Sequence, residues 1–425
     1  MAKRNDGGRG WPDPAGNGGR GVNLAAKRKI IFDMDGVITS EERYWDAAAL
    51  TVWELLFGAK HLGVQPFGGI PDFKTDPSPG EIATVRRIIF CEDRVIAFFK
   101  QQAINSNWDI AYLTFIFHFI AMLRHLATRG AMGSALSPGG KEGGGGKGAD
   151  LLAGGLSSFQ TREKATIGDT WKPTFAAVLD GWSQGARGSE LIKKLFALSP
   201  APFAQIFGSS MGTSPLWPGI RNIFQQWYLG EGRDEGLPGG AKKVAAGKRG
   251  LLSREEPILE ISRIKHALDE LLRLGWKLGI ATGRPLNELL YPLEQMGISD
   301  YFEGDSVITH DHVLEAQEAL GGELPRISLG KPHPFPFLKA YWGKEKDDRQ
   351  LAISPPLPPK GACWVVGDTM ADLLAAREAG AGFAAVLTGP GGEANRELFA
   401  REGAAAVLPD MTRLPDFLRD VNDTK

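Results

Sequence analysis

The stretch KIIFDMDGV, residues 29–37, decides the fold class of this chain. Residues 29–32 form a short, mostly apolar run, which predicts a buried strand of a parallel sheet. Two aspartates and a glycine follow directly. Polar residues at the carboxyl end of such a strand face the crevice in which open α/β sheets bind ligands. The stretch therefore predicts a strand that ends in a functional loop.

The same pattern returns late in the sequence. A helical pattern at 258–274 leads into a predicted strand at 277–281, and the residues TGR follow at 282–284. Further strands are predicted at 306–309, 363–366, 384–387 and 404–408, and a helix at 370–379. Regular alternation of strands and helices indicates an α/β fold with a doubly wound, parallel sheet.

The region between these two parts lacks the alternation. Helical patterns occupy 44–56, 79–99, 108–126, 171–179 and 189–198, which predicts an inserted α-helical domain. Glycine-rich stretches at 139–154 and 230–250 are typical of mobile surface loops. We therefore predict three parts: a disordered tail at 1–28, a core formed by 29–40 and 258–425, and a helical domain at 41–257.

Composition excludes several classes of protein. The 425 residues are 43% hydrophobic and 23% charged with a net charge of −1, so no electrostatic feature favours nucleic acid or an anionic membrane as partner. Two cysteines exclude a disulfide scaffold and a cysteine-rich zinc site, and they suit a reducing cytoplasm. The most apolar segment, 110–123, is shorter than the roughly 20 residues that span a bilayer and predicts a buried helix.

The loop after the first strand carries the first candidate functional residues. Asp33 and Asp35 can both face the crevice, where one carboxylate can attack a substrate while the other exchanges a proton with the leaving group. Gly36 allows a tight turn that brings backbone N–H groups close to an anion. Taken alone, the same residues could form a solvated turn.

Three later segments add further candidates. The hydroxyl of Thr282 and the flexible Gly283 suit a phosphoryl oxygen, although Thr-Gly is also common in turns. Lys331 in GKPHP offers a positive charge restrained by prolines, or an ordinary surface turn. Asp368 and Asp372 in GDTMAD offer oxygen ligands that suit Mg²⁺, although Asp368 could instead serve only as the N-cap of the helix that follows.

In this order the segments resemble the four sequence motifs of the haloacid dehalogenase (HAD) superfamily. The residues that carry the resemblance are Asp33-x-Asp35, Thr282, Lys331 and Gly367-Asp368-x-x-x-Asp372. It covers residues 29–40 and about 258–425, and the helical region takes the place of that family's cap. The resemblance implies a Rossmann-like catalytic core with a large inserted cap.

The resemblance also implies a role for each matched residue. Asp33 would be the nucleophile that becomes an aspartyl-phosphate, and Asp35 would protonate the leaving oxygen and then activate water. Thr282 and Gly283 would bind the phosphoryl group, and Lys331 would neutralise charge between it and the nucleophile.

A metal site is implied in the same way. Mg²⁺ would be held by Asp33, the backbone carbonyl of Asp35, and Asp368, with Asp372 in support. An anionic carboxylate that attacks an anionic phosphate needs positive charge in place beforehand, which this arrangement supplies.

The aspartate at position 35 separates this chain from the family's dehalogenases and ion-pumping ATPases, and it implies a phosphatase or a phosphomutase. We expect a phosphatase that acts on a small phosphorylated metabolite, with the inserted helices closing over the crevice and selecting the substrate. A sugar phosphomutase and a non-catalytic binding or regulatory protein remain the alternatives.

Overall fold

The computed structural model describes residues 28–102, 104, 106–128, 171–200, 207, 213–230, 247–321 and 328–423. The predicted tail at 1–28 apart from Arg28, the glycine-rich stretch 139–154 and most of 230–250 lie outside these residues. The described chain divides into a sheet unit, within Met1–Ser40 and Glu255–Lys425, and a helical unit, within Glu41–Arg254. The sheet unit resumes at Glu255, whereas the sequence suggested residue 258.

The sheet unit is built on six parallel strands in the order β3-β2-β1-β4-β5-β6. The strands are β1 Lys29–Phe32, β2 Lys277–Ala281, β3 Phe302–Ile308, β4 Cys363–Gly367, β5 Gly382–Val386 and β6 Ala406–Leu408. This is the strand order of a Rossmann-type doubly wound sheet, whose order reverses at the central strand. The predicted fold class is confirmed.

Four strands differ from their predicted bounds, and of these β4 and β5 differ by only one or two residues at an end. β3 begins at Phe302, whereas the sequence predicted a start at residue 306. The prediction missed the first half of the strand because Glu303 and Asp305 interrupt the apolar run there. Its pairing with β2 also shifts register between Leu278 and Ile280, so the early residues do not follow a simple alternation. β6 is shorter than predicted, and its three residues are only half-buried.

Helices cover both faces of the sheet. In the sheet unit they are α7 Ile261–Arg273, α8 Leu286–Met296, α9 His310–Leu320, α10 Phe335–Trp342, α11 Asp348–Ile353, α12 Met370–Glu378, α13 Arg396–Arg401 and α14 Leu414–Asp423. Ile30 and Phe32 point into a core shared with α7, α8 and α14. Ile31 points to the opposite face, into a core shared with α9, α10 and α12. Successive residues of the strand therefore contribute their side chains to two separate apolar layers, one on each face of the sheet.

The described part of the helical unit contains α1 Glu42–Phe57, α2 Pro79–Ile89, α3 Arg94–Gln101, α4 Asn107–Thr128, α5 Gly188–Ala197 and α6 Trp217–Leu229. α1 is the central helix, and it packs against α2, α4 and α6. Tyr44 on α1 stacks on Tyr228 of α6 with ring centroids 4.1 Å apart. Aromatic contacts of this kind supply much of the unit's core.

Two helix predictions in this unit need correction. The pattern at 79–99 forms two helices, because Cys91, Glu92 and Asp93 adopt positive φ angles of 50–64° that break the helical path. The pattern at 171–179 gives only a short 3₁₀ helix, Phe175–Leu179. Pro173 precedes it, and the residue before a proline avoids the helical region.

The helix α4 is longer than the apolar segment recognised in the sequence. It spans 22 residues, and 72% of its most apolar stretch is buried. Its length and composition would allow a membrane span. The buried core helices of soluble proteins meet the same criterion, so α4 is weak evidence for a membrane.

Candidate active site

The candidate residues come together because three neighbouring strands run parallel. Phe32 of β1 pairs with Ile280 of β2 and with Val366 of β4, so these strands end at the same level. The backbone N–H of Asp33 donates to the carbonyl of Val366 at 2.9 Å, which continues the pairing by one residue. The loops after β1, β2 and β4 therefore share one edge, at the reversal point where such sheets bind ligands.

Lys331 binds two of the predicted carboxylates at once. Its Nζ lies 2.9 Å from an oxygen of Asp33 and 2.8 Å from an oxygen of Asp372. Asp33 is 8% exposed and Asp372 is fully buried, so water screens these contacts little. Lys331 lies in the turn before α10, four residues ahead of its first residue, Phe335, and not in the helix itself.

Charge and burial shift the ionisation of this group. Burial, opposed by Lys331 but assisted by the charges of Asp372 and Asp35, raises the pKa of Asp33 to about 7. Burial acts to lower the pKa of Lys331, but the two carboxylates outweigh it and hold that pKa above its ordinary value. Lys331 therefore stays positively charged at neutral pH. A further cation beside Asp33 would stabilise the charged form of its carboxyl group.

The residues present fit a magnesium ion. Asp33, Asp368 and Asp372 each offer a carboxylate oxygen, and these atoms lie within 4.8 Å of one another. Three carboxylates and one lysine carry a net charge of −2, which one divalent cation would balance. A ligand set made only of carboxylate oxygens suits Mg²⁺ rather than zinc.

Two glycines leave room for the Asp368 carboxyl group. A Cβ on Gly36 or on Gly389, in the loop after β5, would lie 2.6 Å from Cγ of Asp368. Carbon atoms in ordinary contact are about 3.5–4.0 Å apart, so neither position accepts a side chain unless the carboxyl group moves. The hydroxyl of Thr388 donates to the carbonyl of Gly36 and ties the two loops together.

The helix N-cap after β4 is Thr369, which corrects one alternative reading of Asp368. The hydroxyl of Thr369 accepts a hydrogen bond from the N–H of Asp372, and one oxygen of Asp372 accepts from the N–H of Thr369 at 3.2 Å. Asp372 thus caps α12 with one oxygen and binds Lys331 with the other. Asp368 is therefore not the N-cap of α12.

Asp35 has a different partner from Asp33. Nε of Arg284 lies 3.0 and 3.1 Å from the two oxygens of Asp35, and Nη2 of Arg284 forms a further hydrogen bond to it. Arg284 is 2% exposed. The sequence placed Arg284 next to Thr282 and Gly283 but assigned it no role. An arginine at a strand end beside a predicted acidic loop was the signal that could have identified it.

Thr282 and Gly283 lie at the same edge of the sheet. Thr282 is buried, and its hydroxyl accepts a hydrogen bond from the backbone N–H of Arg284 at 3.1 Å. Gly283 is exposed, and a Cβ there would meet nothing within 4 Å. Their binding of a phosphoryl group stays a prediction.

Fold and site together define a class: a doubly wound α/β protein with an aspartate-rich site at the carboxyl edge of a Rossmann-type sheet. A family model described as "haloacid dehalogenase-like hydrolase" matches residues 189–380, a range that includes Thr282, Lys331, Asp368 and Asp372. Over those residues, which make up less than half of the chain, the sequence is similar to the haloacid dehalogenase-like hydrolases. No curated protein matches the sequence.

Solved structures resemble the chain to different degrees. An X-ray structure of a Northeast Structural Genomics Consortium target is 28% identical, with a TM-score of 0.70 over 94% of this chain and 100% of that one. A HAD family hydrolase from Deinococcus radiodurans R1 with bound phosphate and sodium is 14% identical (TM-score 0.35; 94% and 97% covered). CbbY from Rhodobacter sphaeroides in complex with phosphate is also 14% identical (TM-score 0.35; 91% and 96%). Only the first is similar enough to support the fold.

Proposed function

We propose that this protein is a magnesium-dependent phosphatase that forms a covalent phosphoenzyme on Asp33. The observation that carries the proposal is the position of Lys331, whose ammonium group lies between Asp33 and Asp372 at 2.9 and 2.8 Å. A lysine held in this way keeps positive charge beside a carboxylate that must approach an anionic phosphate. The acidic cluster around it adds a place for a divalent cation.

The two aspartates divide the reaction between them. A carboxylate oxygen of Asp33 attacks phosphorus, the bond from phosphorus to the ester oxygen breaks, and Asp35 gives its proton to that oxygen. A water molecule then attacks the phosphorus of the aspartyl-phosphate and passes a proton to Asp35. The bond to Asp33 breaks, which releases inorganic phosphate and restores both carboxyl groups.

Asp33 and Asp368 would hold the magnesium ion, with the backbone carbonyl of Asp35 as a further ligand and Asp372 in support. When bound, the ion supplies positive charge for the phosphoryl oxygens and for the nucleophile. Asp372 meanwhile keeps Lys331 in place, because one of its oxygens is 2.8 Å from the lysine Nζ.

For the substrate we propose a small phosphorylated metabolite. A nucleophile that is only 8% exposed favours a ligand that can enter the site over a phosphate on a protein surface. We further propose a cytoplasmic location, which the two cysteines support, since neither forms a disulfide. Hydrolysis is distinguished from phosphomutase action by the products, because a mutase returns an isomer of the substrate and little free phosphate.

The test is substitution of the proposed nucleophile. Phosphate release from 4-nitrophenyl phosphate in Mg²⁺ is measured for the wild type, Asp33→Asn and the control Asp300→Asn, which changes an exposed aspartate of the same unit. We expect kcat to fall by at least about 10³-fold in Asp33→Asn, as loss of a covalent nucleophile does in other enzymes, and to be unchanged in the control. Chelation of Mg²⁺ should abolish the wild-type activity. Near-wild-type turnover by a folded Asp33→Asn protein, or full activity in chelator, would refute the proposal.

A further inference from the structure

We propose that Arg284 is a positioning residue that holds the carboxylate of Asp35 in place for proton transfer. The inference rests on the proposed function, in which Asp35 is the acid and base. It adds a residue to that machinery and explains how the Asp35 side chain, on a loop between β1 and α1, can keep a fixed direction.

Arg284 binds Asp35 through two N–H donors that lie in the plane of its guanidinium group. Its Nε and Nη2 atoms both donate to Asp35, with Nε 3.0 and 3.1 Å from the two carboxylate oxygens. Two parallel hydrogen bonds fix both the distance and the plane of a carboxylate, which a single point charge cannot do. Each carboxylate oxygen accepts more than one hydrogen bond, so the arginine leaves capacity for a proton or a water molecule.

The guanidinium is itself held from several sides. It donates to the hydroxyl of Thr39 at 3.0 Å, to a carboxylate oxygen of Glu255 at 3.1 Å and to the carbonyl of Glu288 at 3.4 Å. The side chains of Arg284 and Glu255 are 1% and 2% exposed. A buried guanidinium with this many partners has little freedom to move. Its hydrogen bonds to Asp35 therefore restrict the orientation of that carboxylate.

The partners also connect the catalytic loop to the segment that follows the helical unit. The chain leaves the sheet unit after Ser40 and resumes it at Glu255. Arg284 binds Thr39, which precedes Ser40, and Glu255 itself. The same two segments pair through their backbones, with Ser40 N–H donating to Glu256 at 3.0 Å and Ile258 N–H donating to Ile38 at 2.8 Å. Arg284 therefore fixes Asp35 against a paired support and not against a lone loop.

Stability alone does not explain this arrangement. A buried ion pair is often no more stabilising than apolar residues of the same volume, because both charges lose their hydration. A purely structural arginine would serve only to neutralise Glu255. A positioning arginine must act through Asp35, and the two roles predict different outcomes when Glu255 is neutralised together with Arg284.

The experiment compares Arg284→Gln, Arg284→Lys and the double variant Glu255→Gln/Arg284→Gln, with Arg273→Gln as a control at an exposed arginine of α7. The double variant removes the charge of Glu255 together with that of Arg284, so it guards against misfolding of the single one. Steady-state kcat and KM are measured with 4-nitrophenyl phosphate and with an alkyl phosphate, whose poorer leaving group depends more on proton donation. The same substitutions are then made in an Asp35→Asn background.

We expect the double variant to stay folded with kcat for the alkyl phosphate at least about tenfold below wild type, a smaller loss for 4-nitrophenyl phosphate, and little change in KM. Arg284→Lys should also be slow, because lysine keeps the charge but not the paired hydrogen bonds. In Asp35→Asn the added substitutions should change kcat less than about twofold, since residues that act through one another are not additive.

Two results would overturn the inference while the proposed function stands. One is a wild-type kcat in the double variant, which would make Arg284 a partner of Glu255 only. The other is a full additional loss in the Asp35→Asn background, which would mean that Arg284 acts without Asp35. If the wild-type protein releases no phosphate in Mg²⁺, or Asp33→Asn stays active, the proposed function fails and this inference fails with it.

Discussion

Gly389→Ala should weaken magnesium binding without unfolding the protein. Gly389 follows β5, and a Cβ added there would lie 2.6 Å from Cγ and 2.7 Å from Cβ of Asp368. Contact between carbon atoms becomes favourable only at about 3.5–4.0 Å, so the carboxyl group must recede by about 1 Å.

The expected loss of Mg²⁺ affinity follows from how little displacement of a ligand a metal site tolerates. Ligand distances in such sites hold to about 0.2 Å, and Mg²⁺ requires nearly ideal octahedral geometry. A shift of about 1 Å therefore removes Asp368 as an effective ligand. Since loss of a supporting contact alone costs about 10–100-fold in metal affinity, we expect the Mg²⁺ concentration that gives half-maximal activity to rise by at least tenfold.

The assay is a Mg²⁺ titration of phosphate release, with Gly80→Ala as the matched control. Gly80 lies in α2, and a Cβ there would meet nothing within 4 Å, so alanine should leave the titration unchanged. Circular dichroism and the midpoint of urea unfolding establish that both variants are folded. A folded Gly389→Ala protein with a wild-type Mg²⁺ titration would show that Asp368 is not a metal ligand, or that the loop gives way in its place.

Two other predictions concern charge. Lys331→Met should lower kcat by about 10²–10³-fold, the cost of one lost charge-stabilising group. Because Lys331 lowers the pKa of Asp33, its loss should also move the acidic limb of the pH–rate profile to higher pH, and an unmoved limb would contradict the assigned contact. Burial lowers the pKa of His118 to about 3, so below about pH 6.5 the unfolded chain binds a proton that the folded chain does not. Stability should therefore fall as the pH drops, by about 2 kcal/mol at pH 5, and urea unfolding of His118→Leu should lack this loss; an equal loss in the variant would refute the assignment.

The sequence predicted those parts of the fold that short-range pattern determines. β1 and β2 are mostly apolar runs that Asp33 and Thr282 follow directly, so the bounds of both strands could be predicted from the sequence. β3 was predicted too short, because charges in its first half interrupt the pattern although backbone pairing still includes them. The break between α2 and α3 was missed for a similar reason, since nothing in the residues at 91–93 demands positive φ.

The site shows the same division between local and long-range information. Asp33 and Asp368 were predicted because each directly follows a buried strand, and parallel strands bring their carboxyl ends together. The role of Thr369 as N-cap was missed because either neighbouring residue could cap α12, and only the observed hydrogen bonds distinguish them. Arg284 was missed because its partners, Asp35 and Glu255, are far apart in sequence and meet only in the folded chain.

Asp33 and Asp35 are the same kind of residue, and their partners make them chemically different. Asp33 shares a lysine with Asp372 in a buried site, an arrangement that leaves negative charge to be balanced by a metal ion. Asp35 accepts hydrogen bonds from Arg284 at both of its oxygens, an arrangement that fixes the orientation of its carboxylate. A lysine can serve two carboxylates as a point charge, whereas an arginine defines a plane. Two carboxylates in unlike environments are the usual basis for dividing nucleophile from acid and base. On this reasoning Lys331→Arg and Arg284→Lys should each impair the site although both conserve charge.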